Sequence, residues 1–283
     1  MEKHLSSTVL LTGVPRSGTT LCCQLLNLQT NTVALHEPIE TSRLPEGTTP
    51  IDAVNLIEKF VRSARSSIQS QQAVMTKLQD GELPTNPVEA AGVSGLRKES
   101  VSLGEMAVIK HLDERFTLVV KHNALFTSLL EALRRRFPVF AIVRNPMVVL
   151  ASWQSIDMPV NKGHVPMGER FDPVLKQSLA GETDVLERQL RLLEWFYCRY
   201  NRLVPESNLM KYEDVIASGG AVLTSITGDQ ISKDNDLREQ LTNSALPDER
   251  LDILRDRLVT RAEIYQPFYS SADITDQFEK MMS

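Results

Sequence analysis

VLLTGVPRSGTT, residues 9–20, is the stretch on which the reading of this chain turns. A short apolar run ends on Gly13, four residues intervene, and Gly18 then opens TTLCCQLLNLQ (19–29), whose apolar residues have helical spacing. A continuous apolar run bounded by a turn is the mark of a strand buried on both faces. A strand, the frame G-x-x-x-x-G and a helix together predict a loop whose backbone N–H groups cradle a phosphate. In such loops a lysine follows the second glycine and reaches the terminal phosphates. Here that position is Thr19, and the positive charge stands three residues earlier, at Arg16. Ser17, Gly18, Thr19 and Thr20 still offer an anion nest at a helix N-terminus.

Working outward, TVALHEP (32–38) reads as a second strand and completes a βαβ unit. TLVVKHN (117–123) and VFAIVRNP (139–146) are further strands, followed by the helical runs SLLEALRRRF (128–137) and MVVLASWQ (147–154). LERQLRLLEWFYCRYNRLV (186–204) is an amphipathic helix and NLMKYEDV (208–215) a last strand and turn. This alternation predicts an α/β fold, a central parallel sheet flanked by helices, with the chemistry at the C-terminal ends of the strands. The chain reads as a single domain, 1–283, with insertions over that edge at about 41–105 and 155–183. The first holds a helical stretch (52–78) and a loose segment, QDGELPTNPVEAAGVSG (79–95); the second is loop-like.

Composition narrows the class. The chain has 283 residues, 42% hydrophobic and 24% charged, as in ordinary soluble domains. A net charge of −5 offers no bulk attraction to nucleic acid, so an anionic ligand needs a local cluster of cations. Three cysteines without regular spacing suggest reduced thiols and a cytoplasmic protein. No run approaches the ~20 apolar residues of a membrane span.

The strand ends sharpen the chemistry. Magnesium-dependent phosphate enzymes end a later strand on an aspartate. VFAIV ends instead on Arg144 and Asn145, TLVV on Lys121 and His122, and only VALHE supplies an acid, Glu37. The set is suited to neutralising an anion with side chains rather than with a metal. That makes a P-loop kinase or NTPase the weaker alternative.

At these residues the chain resembles the sulfotransferases that use 3′-phosphoadenosine 5′-phosphosulfate (PAPS) as donor. PRSGTT resembles their 5′-phosphosulfate loop. VRNPMVVLASW resembles their 3′-phosphate motif, in which an arginine at a strand end is followed eight residues later by a serine, here Arg144 and Ser152. HEP resembles the Golgi-type and bacterial branches, and KYED a tyrosine-containing segment near the adenine. The matches run in family order over about residues 8–215. Two departures point away from the cytosolic branch, which carries lysine where this chain has Arg16 and has a C-terminal R-K-G motif that is absent here.

The resemblance implies a P-loop-containing nucleotide hydrolase-like fold and transfer of a sulfuryl group to an acceptor hydroxyl. The products are 3′-phosphoadenosine 5′-phosphate (PAP) and a sulfate ester, and no metal is required. It implies that Arg16, Ser17, Gly18, Thr19 and Thr20 hold the 5′-phosphosulfate, Arg144 and Ser152 the 3′-phosphate, and that Tyr212 touches the adenine. Glu37 is the preferred base; His122, one residue early for the cytosolic K-x-H pattern, is its rival, and Lys121 would neutralise the leaving group. The acceptor, a small molecule, carbohydrate or lipid-like alcohol, has no legible motif, and nothing speaks to oligomeric state. Arg134, Arg135 and Arg136 read as a solvated helix end, and Trp153 and Trp195 as core.

Overall fold

The computed structural model describes residues 7–89, 96–229, 237 and 246–283. Its centre is a five-stranded parallel sheet in the order β2-β5-β1-β6-β7. The strands are β1 (Thr8–Gly13), β2 (Thr32–His36), β5 (Thr117–Lys121), β6 (Val139–Val143) and β7 (Leu209–Lys211). A second sheet is the hairpin of β3 (Ala73–Leu78) and β4 (Ser102–Ala107). The helices between are α1 (Thr19–Asn27), α2 (Pro50–Gln71), α3 (Asn123–Ser128), α4 (Leu130–Leu133), α5 (Pro146–Gln154), α6 (Pro166–Phe171), α7 (Pro173–Ala180) and α8 (Val185–Leu203). After β7 come α9 (Tyr212–Ala217), α10 (Thr224–Thr227), α11 (Asp248–Val259), α12 (Ala262–Tyr265) and α13 (Ser271–Met282).

Side chains alternate across the pleat, so each strand feeds two cores. Leu10, Leu118, Val120 and Ala141 pack with α2, α5 and α8, while Leu11, Val119 and Ile142 pack with α1 and α9. This is the α/β architecture expected of continuous apolar strands, with β1 in the middle of the sheet. The chain leaves β1 toward β2 on one side and leaves β6 toward β7 on the other. A crevice therefore opens between the C-terminal ends of β1 and β6.

Three expectations about elements are corrected. The helical stretch 52–78 stops at Gln71, because Gln72 takes a left-handed backbone (φ 52°) and residues 73–78 become β3. Val74, Thr76 and Leu78 point inward there, an alternation that overrides the helical reading. Thr76 fixes the hairpin to β2: its Oγ1 accepts the His36 N–H at 2.7 Å and donates to the His36 carbonyl at 3.2 Å. The loop-like segment 155–183 contains α6 and α7, each opened by a proline at its first turn, and Asp172 caps α7 by accepting the N–H groups of Val174 and Leu175. These helices are too short to be stable alone and exist by packing on neighbours. The run 128–137 is broken at Leu129 between α3 and α4. Among the described residues no helix is long and apolar enough to cross a membrane.

Leu10, fully buried in the middle strand, sets the expected scale of core energetics. Leu10→Ala should lower the unfolding free energy by about 2–5 kcal/mol in urea titrations. Ile109→Ala, at a site 94% exposed, should change it by less than about 0.5 kcal/mol.

Candidate active site

The loop after β1 is shaped by close backbone approach. A Cβ on Gly13 would stand 2.5 Å from the Ile142 carbonyl oxygen, so only glycine fits beside β6. Ser17 ties the loop down, its N–H donating to the Val14 carbonyl at 2.9 Å and its Oγ to the Ile142 carbonyl at 2.9 Å. Trp153 of α5 donates its indole N–H to the Pro15 carbonyl at 2.8 Å. Between these anchors Arg16 and Gly18 both take left-handed conformations, φ 75° and 83°. For arginine that conformation is strained, and such strain is held where the surroundings dictate it. Gly18 caps α1, and the helix's first backbone bond runs from the Cys22 N–H to the Gly18 carbonyl at 3.0 Å. The N–H groups of the buried Thr19 and Thr20 precede it and are left for a ligand, as a helix start requires.

Arginines converge on this nest. Arg16 Nε donates to Ser152 Oγ at 3.2 Å and its Nη1 to Asn86 Oδ1 at 3.1 Å. Arg97 Nη2 donates to Ser155 Oγ at 2.7 Å and reaches the same Ser152 Oγ at 3.4 Å. Arg144, at the end of β6, lies with its guanidinium carbon 4.3 Å from the centre of the Tyr212 ring. That ring faces the loop: a Cβ on Gly18 would meet Tyr212 Cδ2 at 2.2 Å. The Arg144 backbone is held by Tyr197, whose hydroxyl donates to its carbonyl. Burial, then Arg97, then Arg144, lower the Arg16 pKa to about 10. Burial and neighbouring guanidiniums both disfavour the Arg16 charge, and a nearby anion would offset both.

At the other end of the crevice stands Glu37, directly after β2, also left-handed (φ 44°). Its N–H donates to the Lys121 carbonyl at 2.8 Å. Its carboxylate accepts Lys121 Nζ at 2.7 Å and Lys77 Nζ at 3.2 Å, and Lys77 also binds Glu99 at 2.7 Å. Burial works against the Glu37 charge, but Lys121 foremost and its other cationic neighbours outweigh burial and hold the carboxyl well below the ordinary range. His122 follows Lys121; its Nε2 lies 3.2 Å from the Ile39 carbonyl, so that nitrogen carries the proton and Nδ1 is left as an acceptor. Burial first, and Lys121 among the nearby charges, lower His122 to about 4 and His36 to about 2. Both imidazoles are neutral near pH 7.

The structure thus gathers Arg16, Ser17, Gly18, Thr19, Thr20, Arg144, Ser152 and Tyr212 at one end and Glu37, Lys121 and His122 at the other. Ser152 bonds to Arg16 and Arg97. Glu37 is ion-paired with Lys121. Arg134 and Arg136 bond to Leu203 and to Asn55 and Glu58, as a structural helix end does, and Trp153 is core. Sequence reasoning missed Arg97, Asn86, Lys77 and Ser155. One signal was present: Arg97 and Lys98 are the only basic residues between Lys77 and Lys110.

No family model matches the chain and no curated protein matches it. Among solved structures it is similar to the sulfotransferase STF1 from Mycobacterium tuberculosis H37Rv, at 14% identity over 90% of this chain and 77% of that one, with a TM-score of 0.41. It is also similar to the sulfotransferase STF9 from Mycobacterium avium, at 11% identity over 98% and 76% of the two chains, with a TM-score of 0.36. Likeness at this level assigns neither a family nor a site.

The buried histidines generate a pH dependence. Their folded pKa values are depressed, so the unfolded chain binds protons first as pH falls below about 6.5. Stability should be full above that pH and fall by about 2 kcal/mol for each of His36 and His122 by pH 5. Urea unfolding from pH 7.5 to 5 checks it, with a shallower slope in His122→Asn. The stability tied to Glu37 is lost only at lower pH, below its unfolded value of about 4.3.

Proposed function

We propose that this protein is a sulfotransferase that moves the sulfuryl group of PAPS to the hydroxyl of a small-molecule or glycan acceptor, leaving PAP and a sulfate ester. The observation that carries the reading is the glycine nest with no lysine after Gly18, ringed by guanidiniums where a triphosphate loop has one ammonium. The residues fit the donor: Gly13 and Gly18 clear the backbone approach, and the Arg16 guanidinium, desolvated beside Arg97 and Arg144, is stabilised by an anion. Two anionic groups on one nucleotide match the cationic end of the crevice, where the loop nest and Ser152 lie side by side. The donor supplies the activated S–O bond; the rest is the work of this chain.

In this reading Arg16 and the N–H groups of Gly18 to Thr20 hold the 5′-phosphosulfate, with Ser17 fixing the loop through its own bonds to Val14 and Ile142, and Arg16 stabilises charge developing on the bridging oxygen. Arg144 and Ser152 bind the 3′-phosphate, and Tyr212, carrying Arg144 on its ring, borders the adenine. Glu37 is ionised and receives the acceptor's proton as the acceptor oxygen bonds to sulfur. Its two lysines keep it anionic but weakly basic, which suits proton transfer late in the bond exchange rather than before it. Lys121, buried and fixed by Glu37, supplies positive charge to the leaving group. Catalysis rests on positioning and fixed charge.

PAP should raise the melting temperature, with about 2.7 kcal/mol of stabilisation at a hundredfold excess over its Kd. Stabilisation by magnesium-ATP with none by PAP would instead identify a P-loop kinase or NTPase and overturn the proposal. Glu37→Gln should lower sulfuryl transfer by about 10²–10⁴-fold while leaving PAP affinity within threefold, a factor of about 0.6 kcal/mol. His122→Asn showing the larger loss would transfer the base to histidine.

A further inference from the structure

The β3–β4 hairpin does more than cover β2. Beyond its strands the two arms stay paired, with the Glu89 N–H donating to the Lys98 carbonyl at 3.0 Å and the Ser100 N–H to the Pro87 carbonyl at 2.9 Å. This pairing carries Asn86 and Arg97 to the β1–β6 crevice. The Arg97 backbone is then gripped on both sides by the segment after α5: its N–H donates to the Ser155 carbonyl at 3.0 Å, and its carbonyl accepts the Asp157 N–H at 2.8 Å. These two bonds fix where the side chain starts.

Arg97 Nη2 donates to Ser155 Oγ at 2.7 Å and lies 3.4 Å from Ser152 Oγ, the hydroxyl that also accepts Arg16 Nε at 3.2 Å. Ser155 Oγ donates in turn to the Ser152 carbonyl at 2.9 Å. Two guanidiniums therefore meet on one hydroxyl. Among the described residues neither Arg16 nor Arg97 forms an ion pair with a carboxylate, and only neutral oxygens lie between them. Like charges brought this close in a partly buried crevice repel, and the repulsion is relieved by an anion bound between them. The lowering of Arg16 by burial and then by Arg97 is the same conflict seen from the other partner.

We propose that Arg97 binds the donor's 3′-phosphate, with Ser155 and Ser152 aiming its guanidinium at that group. The assignment rests on the PAPS-dependent reading above. In that reading Ser152 belongs to the 3′-phosphate subsite, and Arg97 joins the site there, beside the glycine nest that serves the 5′ end. Arg97 is a binding residue brought by the inserted hairpin, so the insertion completes the donor site as well as bordering the acceptor.

The test compares PAP with adenosine 5′-monophosphate, which lacks the 3′-phosphate, by calorimetry on the full chain. The wild type should prefer PAP. Arg97→Ala should weaken PAP by about 10–100-fold, the scale of a charge-assisted contact, and the monophosphate by less than about threefold. Arg97→Lys should recover part of the loss. Equal loss for both nucleotides, or an unchanged preference for PAP, overturns the role of Arg97 while leaving the donor standing. A wild type without preference for PAP overturns the donor itself. Should Arg97→Ala fail to fold, Ser155→Ala frees the guanidinium without altering the backbone grip: selective weakening of PAP supports the proposal, and unchanged PAP binding overturns it.

Discussion

The contact between the loop and β6 is the constraint from which the site follows. With Ser17 Oγ bound to the Ile142 carbonyl and no room for a Cβ on Gly13, the chain leaving β1 cannot run straight on. It turns through left-handed backbone at Arg16 and Gly18 before α1 begins. That turn leaves the N–H groups at the start of α1 free for a ligand and sends the Arg16 side chain across toward α5 and Ser152. Trp153, on the same helix, holds the Pro15 carbonyl, so the loop and the α5 end of the crevice are set by one packed unit. A loop fixed in this way needs little reorganisation when it receives an anion, which is where preorganised sites gain their advantage.

The electrostatics are arranged oppositely at the two ends of the crevice. Around Arg16 like charges are brought together and desolvated, an arrangement that favours an anion. Around Glu37 the charges are matched, with Lys121 and Lys77 against Glu37 and Glu99. One end concentrates positive charge, and the other holds a carboxyl in one ionisation state. The two arrangements are not interchangeable. A carboxylate beside Arg16 would compete with the ligand, and an unpaired Glu37 in the same half-buried position would be pushed toward protonation.

The sheet and the loop were legible because both are local. Apolar runs of five or six residues, each closed by a turn, specify parallel strands without knowledge of their neighbours, and the glycine spacing specifies the turn. Arg144 and Ser152 were legible because a helix start links them at fixed spacing. Arg97 and Lys77 were not, because their places depend on a hairpin read as part of a helix and a loose segment. AVMTKL satisfies both periodicities, and only the left-handed Gln72 and the partner strand β4 decide between them. The helices α6 and α7 escaped for a related reason: Leu175 and Leu179 make α7 a helix by burial against the domain, which proline-rich local sequence does not announce.

The hairpin joins the two ends of the crevice. Lys77 sits on β3 and reaches Glu37, while Arg97 sits in the arm that leads into β4 and reaches Ser152; that arm is paired back to Pro87 and Glu89 beyond the ladder from Ala73↔Ala107 to Leu78↔Ser102. Thr76 pins the hairpin to the end of β2, beside His36. A displacement of the hairpin would therefore alter the guanidinium pair and the lysine pair together. The two ends of the crevice carry different electrostatics, but Lys77 on the hairpin and Arg97 on the arm that leads into it supply a cation to each.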